Sequence, residues 1–231
     1  MFFSSRNRKT DDIDIKINDV TIERVHVTKF LGVQIDSKLT WKNHVDYISK
    51  KLSKSAAILS KARKVLHKTV LINLYYTFSY PYLLYCNIIW GNTYRITNNK
   101  LMLIQKRLIR IITSSPYRAH TGPLFFANKL LNVYDINNYT IGIFIYRCMH
   151  ESLPDLFDNF FMTNRDFHGR ELRDADDLYT PYARLDIRRF TIRIHGAKLW
   201  NNLPAQIRNS DSIHIFKRRL RSHIIESKLE T

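Results

Sequence analysis

The chain has 231 residues, 45% of them hydrophobic, enough to bury a sizeable core in one large domain or two small ones. Lysine and arginine number 37 against 20 aspartates and glutamates, and the resulting charge of +17 calls for an anionic partner, nucleic acid first. The two cysteines, Cys86 and Cys148, lie far apart in apolar surroundings. That excludes a disulfide framework and a cysteine-rich zinc module, and it points to a reducing, intracellular setting, nuclear or cytoplasmic.

The apolar run Leu83 to Trp90 is among the longest, and it falls short of the roughly 18 residues that a membrane span needs. The start, Met1-Phe2-Phe3-Ser4-Ser5-Arg6, has too short an apolar run for a secretory signal, so neither export nor membrane insertion is expected. Phe2-Phe3 leads straight into a polar, basic stretch from Ser4 to Thr10, as though an upstream strand had been cut off. Such a cut would leave an unpaired sheet edge. No linker, repeat or low-complexity tract is present.

Residues 12 to 35 read as β structure. Ile13, Ile15 and Ile17 alternate with polar residues, Asn18-Asp19 is a turn signal, and Val20, Ile22, Val25 and Val27 follow. The pattern predicts a hairpin and then a third strand through Phe30-Leu31-Gly32-Val33-Gln34-Ile35, in which Gly32 marks a bulge or a close backbone approach.

From Thr40, the expected N-cap, the period becomes helical. At about 100° per residue, Trp41, Val45, Ile48, Leu52, Ala56, Leu59 and Leu66 share one face. Lys42, Lys50, Lys54, Lys61 and Lys64 fall within roughly 120° on the other side. Helical patterns follow at about 69 to 80, ended or kinked by Pro81, and then at about 82 to 90 and 98 to 113. The last repeats the two-sided design, with Leu101, Ile104, Leu108, Ile111 and Ile112 opposite Lys100, Lys106, Arg107 and Arg110. Further helices are expected over 123 to 131, 135 to 150 and 211 to 226. The stretch from Leu153 to about Arg193 reads as irregular. The aromatics around Pro81 (Tyr75, Tyr76, Phe78, Tyr80, Tyr82 and Tyr85) recur at helical spacing and read as packing residues before stacking platforms. Trp41, Trp90 and Trp200 read as core anchors.

The string Lys29-Phe30-Leu31-Gly32-Val33-Gln34-Ile35-Asp36, followed by Leu39-Thr40-Trp41 and His44, resembles the block after the catalytic aspartates in reverse transcriptases of non-LTR retrotransposons, the jockey-like LINE elements. Leu74-Tyr75, Pro81, Leu83, Tyr85 and Trp90-Gly91 resemble that family's thumb, and Gln105-Lys106, Arg110 and Pro123-Leu124-Phe125 continue its order. Phe190, Gly196, Leu199-Trp200-Asn201, Leu203-Pro204 and Phe216-Lys217 resemble its C-terminal extension. Each motif is short and weak alone; their order and spacing along almost the whole chain carry the likeness. It implies a primer-grip-like segment at Phe30, Leu31, Gly32 and Val33, and a helical thumb from Trp41 onward.

The expected architecture is α+β: a small N-terminal antiparallel sheet, the edge of a palm, over residues 1–38, a thumb-like helical unit over 39–118 and a helical extension over 119–231. The nucleic-acid-binding residues would be Lys42, Lys50, Lys54, Lys61, Lys64, Lys106, Arg107 and Arg110. They would meet phosphates of an RNA-DNA or DNA duplex without reading its sequence. A solvated surface is the alternative for any one basic face; three such faces in a chain this basic favour binding.

Polymerisation in the family uses an aromatic-Ala-Asp-Asp turn and a further Asp to hold two Mg²⁺ ions. Asp11-Asp12 follows Lys9-Thr10 instead of an aromatic and Ala, and Asp174-Ala175-Asp176-Asp177 has loop-like flanks. No catalytic residue or metal site is therefore expected, although the intact parent polymerase would use Mg²⁺. The missing palm and fingers become candidate partners. The nine histidines, His44 and His120 included, read as structural or exposed before they read as ligands. The functions weighed against a polymerase fragment are a decayed element remnant and a stand-alone nucleic-acid-binding protein co-opted from the element.

Overall fold

The structure, a computed structural model, describes residues 1, 3, 15–150, 153–170 and 173–227. The positions of Ile13, of the Asp11-Asp12 pair and of the basic stretch before them lie outside the described residues. The fold is α+β, with small antiparallel strand pairs at the N-terminus and helices thereafter.

Strands β1 (Lys16–Ile17) and β2 (Val20–Thr21) pair as a hairpin in which Ile17 faces Val20. Asn18 and Asp19 turn it with φ of 48° and 62°, the left-handed pair that a two-residue hairpin needs. The expected third strand is instead a second hairpin, β3 (Val27–Phe30) and β4 (Val33–Asp36), separate from the first. Gly32 is no bulge. It shares the two-residue turn with Leu31, at φ 83° and 45°, and Phe30 pairs directly with Val33 across it.

Helix α1 (Lys42–Ala62) begins one residue later than the Thr40 cap implies, because Trp41 takes the cap position in a left-handed conformation. The capping is done from β4. The buried carboxylate of Asp36 accepts from the backbone N–H groups of Lys38 (3.1 Å), Thr40 (3.0 Å) and Trp41 (2.9 Å) and from the Thr40 hydroxyl (3.2 Å). One side chain thus holds the hairpin against the helix start.

After α1 come α2 (Lys68–Phe78), α3 (Tyr80–Leu84, with Pro81 in its first turn, where no N–H is needed), α4 (Asn87–Trp90) and α5 (Arg95–Ile112). The single helix expected over 82 to 90 is broken by Cys86, at φ 49°. Next come α6 (Thr121–Ala127) and α7 (Val133–Met149), the latter started by a reciprocal Asn132–Asp135 capping box. The stretch read as irregular holds a 3₁₀ turn at Asp155–Phe157 and the short helices α8 (Asn164–His168) and α9 (Asp186–Arg189). Its end is corrected by α10 (Ile192–Asn201), which α11 (Ala205–Arg208) and α12 (Ile213–Glu226) follow.

α7 is the central element, packed by α3, α4, α5, α10 and α12. Ile136, Ile141 and Ile145 of α7 sit with Leu52 of α1, Trp90, Leu101, Trp200 and Phe216 in one core, all but Trp200 essentially without exposure. A second core joins Ala56, Leu59, Leu71, Tyr75, Leu108, Ile112 and Phe125. Both cores draw residues from either side of position 118, so the thumb-like and extension segments share their interior. Among the described residues no helix is long and apolar enough to cross a membrane.

Candidate nucleic-acid interface

α1 and α5 are the most closely associated helices of the fold. Val45, Ile48, Leu52, Ala56 and Leu59 are buried on one side of α1, and Lys42, Lys50, Lys54 and Lys61 are all exposed on the other. Nineteen residues at about 1.5 Å each put Lys42 and Lys61 roughly 28 Å apart along the axis, the length of about eight base pairs of duplex. Among the described residues none of these four lysines enters an ion pair. The carboxylate on this face, Asp46, pairs with Lys100 of α5 and is neutralised there. That pair also sets the relative phase of the helices, which run in the same direction. Arg107, two turns beyond Lys100 on the same side of α5, is exposed.

The remaining expected contacts separate. Lys64 is exposed but lies past the end of α1, in the turn toward α2, because the helix stops at Ala62 and not at Leu66. Lys106 is half-buried. Arg110 is half-buried and committed, its Nε donating to the Ala119 carbonyl at 3.0 Å to hold the loop after α5. The basic side of α12 is likewise largely structural: Arg219 donates to the Gln206 carbonyl at 2.8 Å, and Arg221 to the Lys129 carbonyl at 2.9 Å and the Tyr76 hydroxyl at 3.1 Å. Spacing along a helix reports which side a cation is on, and these two arginines reach back across the edge of that side to nearby carbonyls.

The β3–β4 hairpin stands beside the start of α1. Phe30 and Leu31 at its tip are 62% and 73% exposed, whereas Val33 is buried. The tip is fixed by Tyr85, whose hydroxyl donates to the Leu31 carbonyl at 2.6 Å and whose ring lies 3.4 Å from where a Gly32 Cβ would stand. Farther down, the Gln34 N–H donates to His44 Nδ1 at 3.3 Å. That bond sets the His44 proton on Nε2, which is buried without a hydrogen-bond partner among the described residues, and the ring stands edge to face with Trp90, centroids 5.4 Å apart. Burial lowers the His44 pKa below its ordinary value, so the ring is neutral at neutral pH. Three tethers, through Asp36, His44 and Tyr85, therefore hold the hairpin in one pose against α1.

Gln105, one of the thumb-like motif residues, is wholly structural: it donates to the Tyr75 hydroxyl (2.8 Å) and the Leu131 carbonyl (2.9 Å) and accepts from Val133 N–H (2.8 Å). In the aromatic group Tyr75 is buried, while Tyr76 and Tyr80 pack edge to face at 5.1 Å. Trp90 and Trp200 are core residues, and Trp41 is half-buried.

The acidic loop does not form a metal centre. Asp176 pairs with Arg165 (3.0 Å), Asp177 with Arg208 (2.8 Å), and Asp174 accepts from Asn164 (2.9 Å). Among the described residues no group of His, Cys, Asp and Glu is arranged to hold a metal ion. The carboxylates of this loop, held by Arg165, Arg208 and Asn164, are not arranged for the Mg²⁺ pair of a polymerase. Both cysteines are free thiols, and burial pushes Cys148 up to about 11, which keeps it protonated at neutral pH.

What sequence reading missed are Asp36, as the organiser of the α1 start, and a group of buried amides, Asn87, Asn98 and Asn137, around Gly91. Asn137 Nδ2 donates to the Asn87 side-chain oxygen at 3.0 Å, Asn87 Nδ2 to the Leu83 carbonyl at 2.9 Å, and Asn98 Nδ2 to the Gly91 carbonyl at 2.6 Å. Their signal was available: Asn98 falls in phase with Leu101 and Gln105, and Asn137 beside Ile136 and Ile141, on faces that should be apolar. No protein-family model, curated protein or solved structure matches the chain.

Proposed function

We propose that the protein binds duplex nucleic acid through its phosphates, without sequence preference, and that it is the C-terminal, non-catalytic part of a polymerase similar to the reverse transcriptases of non-LTR retrotransposons. The observation that carries the reading is the set of four exposed lysines along one side of α1, none of them in an ion pair among the described residues. Point charges spread over the length of about eight base pairs, within roughly 120° of the helix surface, suit the regular phosphate backbone without reading base edges. The tethered β3–β4 hairpin beside the start of α1 supports a role in placing a strand end, as a primer grip would.

The test is the salt dependence of binding to a random-sequence duplex. Replacing Lys42, Lys50, Lys54 and Lys61 together by Gln is expected to lower the slope of log affinity against log salt by about two to four units. The same charge change at the exposed Arg173, Arg184, Arg188 and Lys198 is expected to lower it by less than about one. An unchanged slope in the α1 variant, or an equal fall in the control, sinks the assignment of α1.

A further inference from the structure

A cavity of about 390 Å³ opens where the start of α1, the end of α4, the 92–94 loop and the 185–191 segment meet. That volume lies within the range of ligand sites, about 300 to 1,000 Å³. Large apolar side chains in its wall stand in water: Ile89 is 52% exposed, Tyr94 46% and Leu185 52%. Apolar exposure grouped in this way marks a surface that a partner covers. The Tyr94 ring meets Phe190 at a right angle, centroids 4.9 Å apart, and among the described residues no ring is stacked on it. Trp41 closes the α1 side of the cavity. It and Leu39 hold left-handed backbone, φ of 61° and 51°, which large side chains adopt only where the surroundings impose it. The Asp36 carboxylate imposes it here, through its bonds to the N–H groups of Lys38, Thr40 and Trp41. Strained residues held in this way gather at ligand sites.

We infer that this cavity takes an unpaired base of a single strand that continues from a duplex lying along α1, the base stacking on Tyr94 while the strand's phosphates meet Lys38 and Lys42. This rests on the reading of α1 as the duplex surface. Lys38 lines the cavity, is exposed and enters no ion pair among the described residues. Lys42, the first of the α1 lysines, directly follows Trp41. The carboxylate of the lining, Asp186, is paired with Arg189 at 3.2 Å and so does not leave an unmet negative charge at the mouth. An apolar peptide side chain could also fill such a hollow. The two free cations at its α1 side and the chain's charge of +17 favour instead a polyanion whose bases have apolar faces. Because every base has such a face, the site holds a strand without selecting its sequence.

The test compares three ligands: a blunt random-sequence duplex, the same duplex with a short single-stranded extension at one or the other end, and the same extension made of abasic sugar-phosphate. The extension with bases is expected to bind about tenfold more tightly than the abasic one, in at least one polarity, since stacking and not charge separates them. Tyr94→Ala is expected to remove that gain and Tyr94→Phe to keep it, both with the blunt-duplex salt slope unchanged. Trp90 and Trp200 are core residues, so a base seated against Trp41 should quench tryptophan emission in a way that Trp41→Phe abolishes. Failure of the α1 reading shows separately, in the blunt-duplex slope of the lysine variant, whereas the bases-against-abasic comparison reads this site alone. Equal affinity for the two extensions, a gain that survives Tyr94→Ala, or quenching that survives Trp41→Phe overturns the inference.

Discussion

Gly91→Ala isolates the buried amide group from every other feature of the fold. Gly91 has φ of −70°, a conformation open to any residue, so an added methyl acts through contact alone. Its Cβ would stand 2.5 Å from Asn87 Oδ1, 2.6 Å from Asn137 Nδ2 and 2.6 Å from the Asn87 carbonyl oxygen. None of these can swing away cheaply: the last is backbone, and the first two are bonded to each other in the interior. Overpacking of this kind costs about 1 to 3 kcal/mol, and losing one hydrogen bond between buried amides adds about 1 to 3. A destabilisation of about 3 kcal/mol is expected, which lowers the melting temperature by roughly 6 to 12 °C for a chain of this size. Gly122→Ala is the internal control: beyond its chain neighbours nothing lies within 4 Å of its Cβ, and the helix propensity gained by alanine is offset by the crowding of a Cβ before Pro123, so stability should change by less than about 1 kcal/mol. Urea unfolding of both variants at unchanged m reads the two effects. A Gly91→Ala protein within about 0.5 kcal/mol of the parent would refute the packing argument.

Asp36→Ala removes the acceptor of three backbone N–H groups at the β4–α1 junction and should cost about 2 to 4 kcal/mol, with faster hydrogen exchange at Thr40 and Trp41; exchange unchanged there would mean that the helix start does not depend on the carboxylate. Stability should also fall in acid. His44 and His195 both have pKa values lowered by burial, so the unfolded chain binds their protons more readily, and the stability they contribute is complete above about pH 6.5 and is lost as the pH falls below it. Urea midpoints between pH 7.5 and 5 should decline, and His44→Gln should flatten the decline; a parent protein whose midpoint stays level over that range would contradict the burial of both rings.

How much of this was legible in the sequence follows from how local each cause is. The Asn18-Asp19 turn, the phase of α1 and the extents of α5 and α7 depend on neighbours within a few residues, and the pattern of side chains carried them. Gly32 announced a special backbone without saying which: a two-residue turn and a bulge both ask for positive φ, and the choice was made by the pairing of Phe30 with Val33. α10 was hidden because Gly196 lowers helix propensity in its middle. The structure keeps that glycine because a Cβ there would stand 3.1 Å from Ile145 and 3.3 Å from Ile141 of α7, a demand visible only once the two helices are packed.

The basic residues divide by the same logic, and the division bears on function. Lys42, Lys50, Lys54 and Lys61 were found because solvent exposure on a helix is a matter of angle, and the angle is written in the apolar residues between them. The partner of Arg110 Nε, the Ala119 carbonyl, could not be foreseen, because it belongs to a loop whose path no periodicity describes. Arginine has donors enough to tie loops together, whereas lysine on a helix face more often ends in water. A surface for a uniform polyanion is therefore better sought among the lysines of this chain than among its arginines, even though arginine makes the stronger single phosphate contact. Arg107 is an exposed arginine on the helix that packs against α1. Arg107→Gln alone should lower the duplex salt slope by about one unit, and an unchanged slope would take α5 off the duplex surface.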